Sequence, residues 1–86
     1  MASYRIEFTR SASKDLRSID RQWIRRILEA VEALAGDPRP SGCKKLVGAE
    51  NSYRIRVGDF RVIYEIQDGL LLVLVVKVGH RRDVCR

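Results

Sequence analysis

Two runs of alternating side chains, joined by a turn two residues long, constrain this chain more than anything else in it. Tyr53-Arg54-Ile55-Arg56-Val57 alternates apolar and basic residues, Gly58-Asp59 is a tight-turn dipeptide with glycine first, and Phe60-Arg61-Val62-Ile63-Tyr64-Glu65-Ile66 returns. A two-residue loop fixes the register of a hairpin. Val57 then lies opposite Phe60, and Arg56 opposite Arg61. Because alternate residues share a face, Tyr53, Ile55, Val57, Phe60, Val62 and Tyr64 form one apolar side, while Arg54, Arg56 and Arg61 project from the other. Like charges directly across an antiparallel pair cost stability. A hairpin that sets arginine against arginine is therefore a candidate anion site, and the planar donor fork of a guanidinium matches the oxygens of a phosphate.

The remaining elements follow from periodicity. Tyr4-Arg5-Ile6-Glu7-Phe8 alternates as a short strand does. Thr9, Ser11 and Ser13 offer helix N-caps, and Leu16, Ile19, Trp23, Ile27, Leu28, Val31 and Leu34 recur at three- and four-residue steps, which predicts one helical stripe. Asp20 divides it into a helical hairpin or kinked pair, its carboxylate capping the second helix. Gly36 ends that helix in a left-handed C-cap before Asp37-Pro38 and Pro40, and a loop runs to about Asn51. Asp68-Gly69 reads as a second tight turn into the aliphatic run Leu70 to Val78, which is expected of a strand covered on both faces or paired on both edges. That turn places Val76 opposite Arg61 and sends Gly79 to Arg82 out of the sheet beyond the Arg56/Arg61 end. The expectation is one α+β domain over residues 1–86: an N-terminal strand, a helical hairpin, then an antiparallel three-stranded sheet with the helices on one face.

Composition narrows the function. Lys and Arg number 17 against 11 Asp and Glu, a formal charge of +6. From Arg39 to Arg61 there are six basic and two acidic residues, and from Lys77 to Arg86 four and one, so these two segments carry the whole excess. Such clustering predicts a polyanion or acidic-protein partner. A chain of 86 residues buries a modest fraction of its surface, which argues against a deep substrate cavity. Cys43 and Cys85 form neither a CxxC pair nor a Cys/His cluster, so no metal or other cofactor is implied. With no apolar run near 20 residues and no signal-peptide core, the chain is expected in the cytoplasm, away from membranes. His80 is the only histidine, and an imidazole suits proton transfer near neutrality.

Three stretches then carry a resemblance: Lys44-Lys45-Leu46-Val47-Gly48, Tyr53 through Glu65, and Val78-Gly79-His80-Arg81-Arg82-Asp83-Val84. Together they resemble the RelE/ParE toxin superfamily, RelE branch, over essentially the whole chain. The resemblance implies the toxin half of a type II toxin-antitoxin pair, a metal-independent, ribosome-dependent endoribonuclease acting on mRNA in the A site and inhibited by a small RelB-like antitoxin that wraps it. On that resemblance, Arg54 and Arg56 contact and polarise the scissile phosphate. Arg61 stabilises the transition state and leaving group, and Arg81 braces the phosphate. Lys44 and Lys45, with Arg82 and Arg86 of the terminal segment, are expected to hold RNA backbone, and His80 is the candidate for proton transfer.

One position departs from the family pattern. RelE-like toxins usually carry a tyrosine two residues after the final acidic residue, and Cys85 stands there. That leaves proton transfer between His80 and Cys85. It also keeps open a ParE-like toxin of the same fold that poisons DNA gyrase without cleaving anything, or a degenerate module that retains only the antitoxin contact.

Overall fold

The computed structural model describes residues 3–80. Strand β1 (Arg5–Phe8) leads into helices α1 (Arg10–Arg17) and α2 (Arg21–Ala33), and strands β2 (Lys44–Lys45), β3 (Ser52–Val57), β4 (Phe60–Gln67) and β5 (Leu72–His80) follow. The strands form one sheet in the order β1-β5-β4-β3-β2. The α+β class and the helical pair agree with the sequence, but the sheet is larger than three antiparallel strands. β1 joins it parallel to β5, with Arg5 opposite Leu72 and Phe8 opposite Val75, and Lys44–Lys45, read as loop, adds an edge strand antiparallel to β3. The aliphatic run thus becomes an interior strand paired on both edges.

Local chemistry sets the helix ends. The Thr9 hydroxyl accepts from the Ala12 backbone N–H at 3.1 Å, capping α1. Asp20 occupies the N-cap position of α2, but its carboxylate makes no cap hydrogen bond. Gly36 is not left-handed; α2 winds out instead through tightening turns, with Leu34, Ala35 and Gly36 donating to the carbonyls three residues back. The helical stripe lies over one side of the sheet, where Ile27, Val31 and Leu34 pack with Ile55, Val62, Tyr64, Ile66, Val73, Val75 and Val78; Leu28, expected in that stripe, instead lines a groove on the outer side of α2. Among the described residues no helix is long and apolar enough to cross a membrane.

The β3–β4 register matches the turn argument: Val57 pairs with Phe60, Arg56 with Arg61 and Ile55 with Val62. Gly58 takes φ +60°, and a Cβ there would fall 2.5 Å from the Trp23 ring. Glycine is therefore required twice over, by the turn and by the packing of α2 across the hairpin tip.

The β4–β5 register differs from expectation by three residues. Gly79, not Val76, lies opposite Arg61, and Phe60 pairs with His80. Two of the three come from the turn, which is a 3₁₀ segment over Asp68–Leu70 closed by Leu71 in the left-handed conformation (φ 50°), not a two-residue Asp-Gly loop. The third is a bulge: Ile63 faces Lys77 while Tyr64 faces Val75, leaving Val76 as the extra residue. The bulge keeps both Val75 and Val78 on the covered side, at 0% and 2% exposure, although they are three apart. Thr9 anchors it, donating its hydroxyl to the Val76 carbonyl at 3.3 Å.

Candidate functional site

The sheet face turned away from the helices collects cations in two cross-strand rows. Nearest the hairpin tip, Arg56, Arg61 and Gly79 lie side by side on β3, β4 and β5. In the next row Lys44, Arg54, Ile63 and Lys77 align across four strands. Arg54 and Arg61 are half-buried, and Lys44, Arg56 and Lys77 are exposed. Farther from the tip the sign changes, with Glu65 opposite Leu74 and Leu74 opposite Glu7. There the Arg5 guanidinium is matched by Glu7 at 2.7 Å. A chain of negative charges laid on this face meets its attraction at the hairpin end.

Sequence reasoning placed Arg54, Arg56 and Arg61 together, and the structure brings them together. Lys44 joins them, whereas Lys45 pairs with Tyr53 and so lies on the opposite side of its strand. Lys77 is a face residue that site reasoning did not single out. The bulge at Val76 puts it in the Arg54 row, and nothing local in an aliphatic strand announces such an insertion. Its ammonium lies 3.9 Å from Asp15 on α1, whose carboxylate also accepts from the Val78 N–H at 3.1 Å. Arg39 is withdrawn from the basic surface. Its guanidinium is held by the Asp68 carboxylate at 2.9 Å, donates to the Tyr53 hydroxyl at 3.2 Å and lies over the Tyr53 ring.

That contact belongs to a network setting the β4–β5 turn. Asp68 accepts from Arg39 and, at 2.6 Å, from the Tyr4 hydroxyl, tying β1, the loop after α2 and the turn together. The Arg39 hydrogen bond, then the one from Tyr4, holds the Asp68 carboxyl below the usual carboxylate range. The same Asp68 bond raises the Tyr4 phenol above its ordinary value. Beneath the network Tyr64 is buried and donates to the Pro38 carbonyl at 2.8 Å; burial is the main cause that pushes its phenol upward.

His80 does not leave the sheet. It ends β5 opposite Phe60, with the two rings edge to face at 5.7 Å, and Phe60 meets Trp23 at 5.4 Å. By the strand pleat, His80 shares the helix-side face with Phe60, and the Arg56/Arg61 row is on the reverse. It lines a cavity of about 380 Å³ with Asp15, Asp20, Trp23 and Phe60. Arg81, Arg82, Cys85 and Arg86 lie outside the described residues. Among those described, no three His, Cys, Asp or Glu side chains gather as metal ligands would.

Phosphodiester chemistry needs such an arrangement of cations: a rigid scaffold on which fixed guanidinium groups neutralise charge that builds on a phosphorus centre. Over 84 residues the chain is 27% identical to toxin RelG of Mycobacterium tuberculosis, covering 96% of this chain and 97% of that one. Its structure is similar to that of the RelBE2 toxin-antitoxin complex from the same organism, with a TM-score of 0.84 at 26% identity and 94% of each chain covered. It is also similar to the archaeal RelE-RelB complex of Pyrococcus horikoshii, with a TM-score of 0.82 at 30% identity, 95% of this chain and 99% of that chain covered. Residues 6–84 match the family described as the ParE toxin of type II toxin-antitoxin systems. The chain belongs to that family, and so to the RelE/ParE superfamily of type II toxins, with the fold of the RelE toxins.

Proposed function

We propose that this toxin acts as RelE-type toxins do, as a ribosome-dependent endoribonuclease that cuts mRNA in the A site. The observation that carries the reading is the cluster of Arg54, Arg56 and Arg61 on one face of the sheet, with Arg56 directly across from Arg61. Cleavage is a transesterification: the 2′-hydroxyl loses its proton and its oxygen bonds the adjacent phosphorus. The phosphorus–5′-oxygen bond then breaks, and the departing oxygen takes up a proton. The products are a 2′,3′-cyclic phosphate and a 5′-hydroxyl. Arg54 and Arg56 hold the phosphate, Arg61 offsets charge on the transition state, and Arg81 is assigned to the same brace. Lys44, Lys45, Arg82 and Arg86 contact RNA backbone. Proton transfer falls to His80 or Cys85; His80 has to act from the edge of the sheet, since its own face is the helix side. The reaction draws on no metal or cofactor. A RelB-like antitoxin is the proposed partner, supported by the RelB-bound state of the similar toxins.

A second reading has its own support. The matching family is described by ParE, and His80 stands behind the arginine row, so a gyrase-binding toxin of the same fold is the alternative. Purified toxin added to translating ribosomes and, separately, to gyrase separates the two. Cleavage in the A site with supercoiling intact upholds the proposal. Inhibited supercoiling with uncut mRNA replaces it with the gyrase reading, and neither effect, with antitoxin still bound, leaves a binding module.

A further inference from the structure

The outer face of α2 breaks a rule that helices ordinarily keep. A helix carries partial positive charge at its N-terminus and partial negative charge at its C-terminus, so acidic residues belong in the first turn and basic ones in the last. In α2 the order is reversed. Arg21 and Arg25 occupy the first half, Glu29 and Glu32 the second, with no acid in the first turn and no base in the last. Beyond the Asp20 carboxylate at the N-cap, nothing among the described residues offsets this. None of the four makes a salt bridge among the described residues, and the Arg25-to-Glu29 spacing runs in the weaker i, i+4 order. The four charges flank Ile24 and Leu28, half-buried side chains one turn apart that line a shallow groove with them.

A reversed pattern of this kind is self-complementary. Set two copies of α2 antiparallel about a two-fold axis, and Arg21 and Arg25 of one copy approach Glu32 and Glu29 of the other, twice over. Each helix C-terminus then lies beside the other copy's arginines. The stripes formed by Ile24 and Leu28 meet at the centre. We propose that this face docks a second copy of this chain as an isologous, antiparallel α2 pair. The proposal does not depend on how the toxin acts, because the groove is on the helix layer, away from the Arg56/Arg61 row. At about 1.5 Å per residue a helix of 13 residues gives a contact only some 20 Å long. That is small against a standard interface, so the dimer is weak and sensitive to salt.

Sedimentation equilibrium of the purified chain at low and high ionic strength tests this, together with two charge-reversal variants, Arg21→Glu/Arg25→Glu and Glu29→Arg/Glu32→Arg. Each reversal places charges that favour its end of the helix, so both variants keep the fold, which circular dichroism checks. The wild-type chain should associate more weakly by about 10-fold or more at high salt, and each variant alone should lose association by a similar factor. Mixed together, the two variants should form a heterodimer at least as tight as the wild-type pair. A wild-type chain that stays monomeric at low salt overturns the proposal, as do variants that still self-associate or a mixture that does not pair. So does loss of antitoxin binding in the variants while the wild type remains monomeric, which would give the face to the antitoxin.

Discussion

The two faces of the sheet are built from the same alternating strands and do opposite things. The helix side is closed: Ile55, Val62, Tyr64, Val73, Val75 and Val78 are buried against Ile27, Val31 and Leu34. The open side carries Lys44, Arg54, Arg56, Arg61 and Lys77 in adjoining rows. One face supplies the stability that lets the other hold like charges together. The lesson is a division of labour by residue parity. A substitution on the covered face should cost folding and leave the open face's chemistry to whatever protein remains folded, whereas one on the open face should cost activity and spare the fold.

The largest expected effect tests the covered side. Leu34 is 1% exposed, so Leu34→Ala should lower unfolding free energy by about 2–5 kcal/mol, read from denaturant titration. A loss below about 1 kcal/mol would break the assignment of this helix face to the core. Next comes Arg61→Ala, which should slow single-turnover cleavage by roughly 10²-fold or more, the scale for removing one fixed electrostatic donor, while ribosome binding falls far less. Rate and binding must be measured together, because losing a cation also weakens any polyanion contact. An unchanged rate with persisting toxicity ends the division of labour on its catalytic side. The same comparison for His80→Ala and Cys85→Ser assigns proton transfer to whichever variant shifts the pH profile.

Gly58→Ala sits where the two faces meet and should cost about 1–3 kcal/mol, since φ +60° and the Trp23 ring both exclude a Cβ. A neutral outcome would mean that the tip can lift off α2. The smallest effect is electrostatic. Asp68 has a folded pKa below its unfolded one, so its contribution is present above the ordinary carboxylate range and drains away as pH falls through the lowered value. Acid titration of thermal stability should therefore be less steep in Asp68→Asn than in the parent protein. Parallel curves would show that the Arg39–Asp68–Tyr4 network does not hold the turn. Because these groups are exposed, the difference should be small.

How much was legible depended on how local each determinant was. The arginine cluster came directly from Gly58-Asp59, because a two-residue loop leaves one register and the pleat then assigns every side chain a face. The place of His80 did not. It hung on the Asp68-Gly69 dipeptide, whose glycine is not the residue that turns left-handed; Leu71 does so instead, its N–H bonded to the Asp68 carbonyl and its own carbonyl taken by the Arg5 N–H. Arg39 shows the same limit. Counted as surface charge, it is held by Asp68, 29 residues away along the chain.

The sequence alone determined the hairpin, its register, the three arginines on one face and the helical stripe above the other, all of which follow from periods of 2 and 3.6 and from the chemistry of a turn. The tertiary structure decided the rest: the parallel pairing of β1 with β5, the edge strand at Lys44–Lys45, the bulge at Val76 that brings Lys77 into the cationic rows, and the side of the sheet on which His80 lies. Each of these depends on partners distant in the chain. A strand carries its own pleat in its sequence, but its neighbours, and any residue it must insert to keep Val75 and Val78 both buried, are chosen only when the core closes.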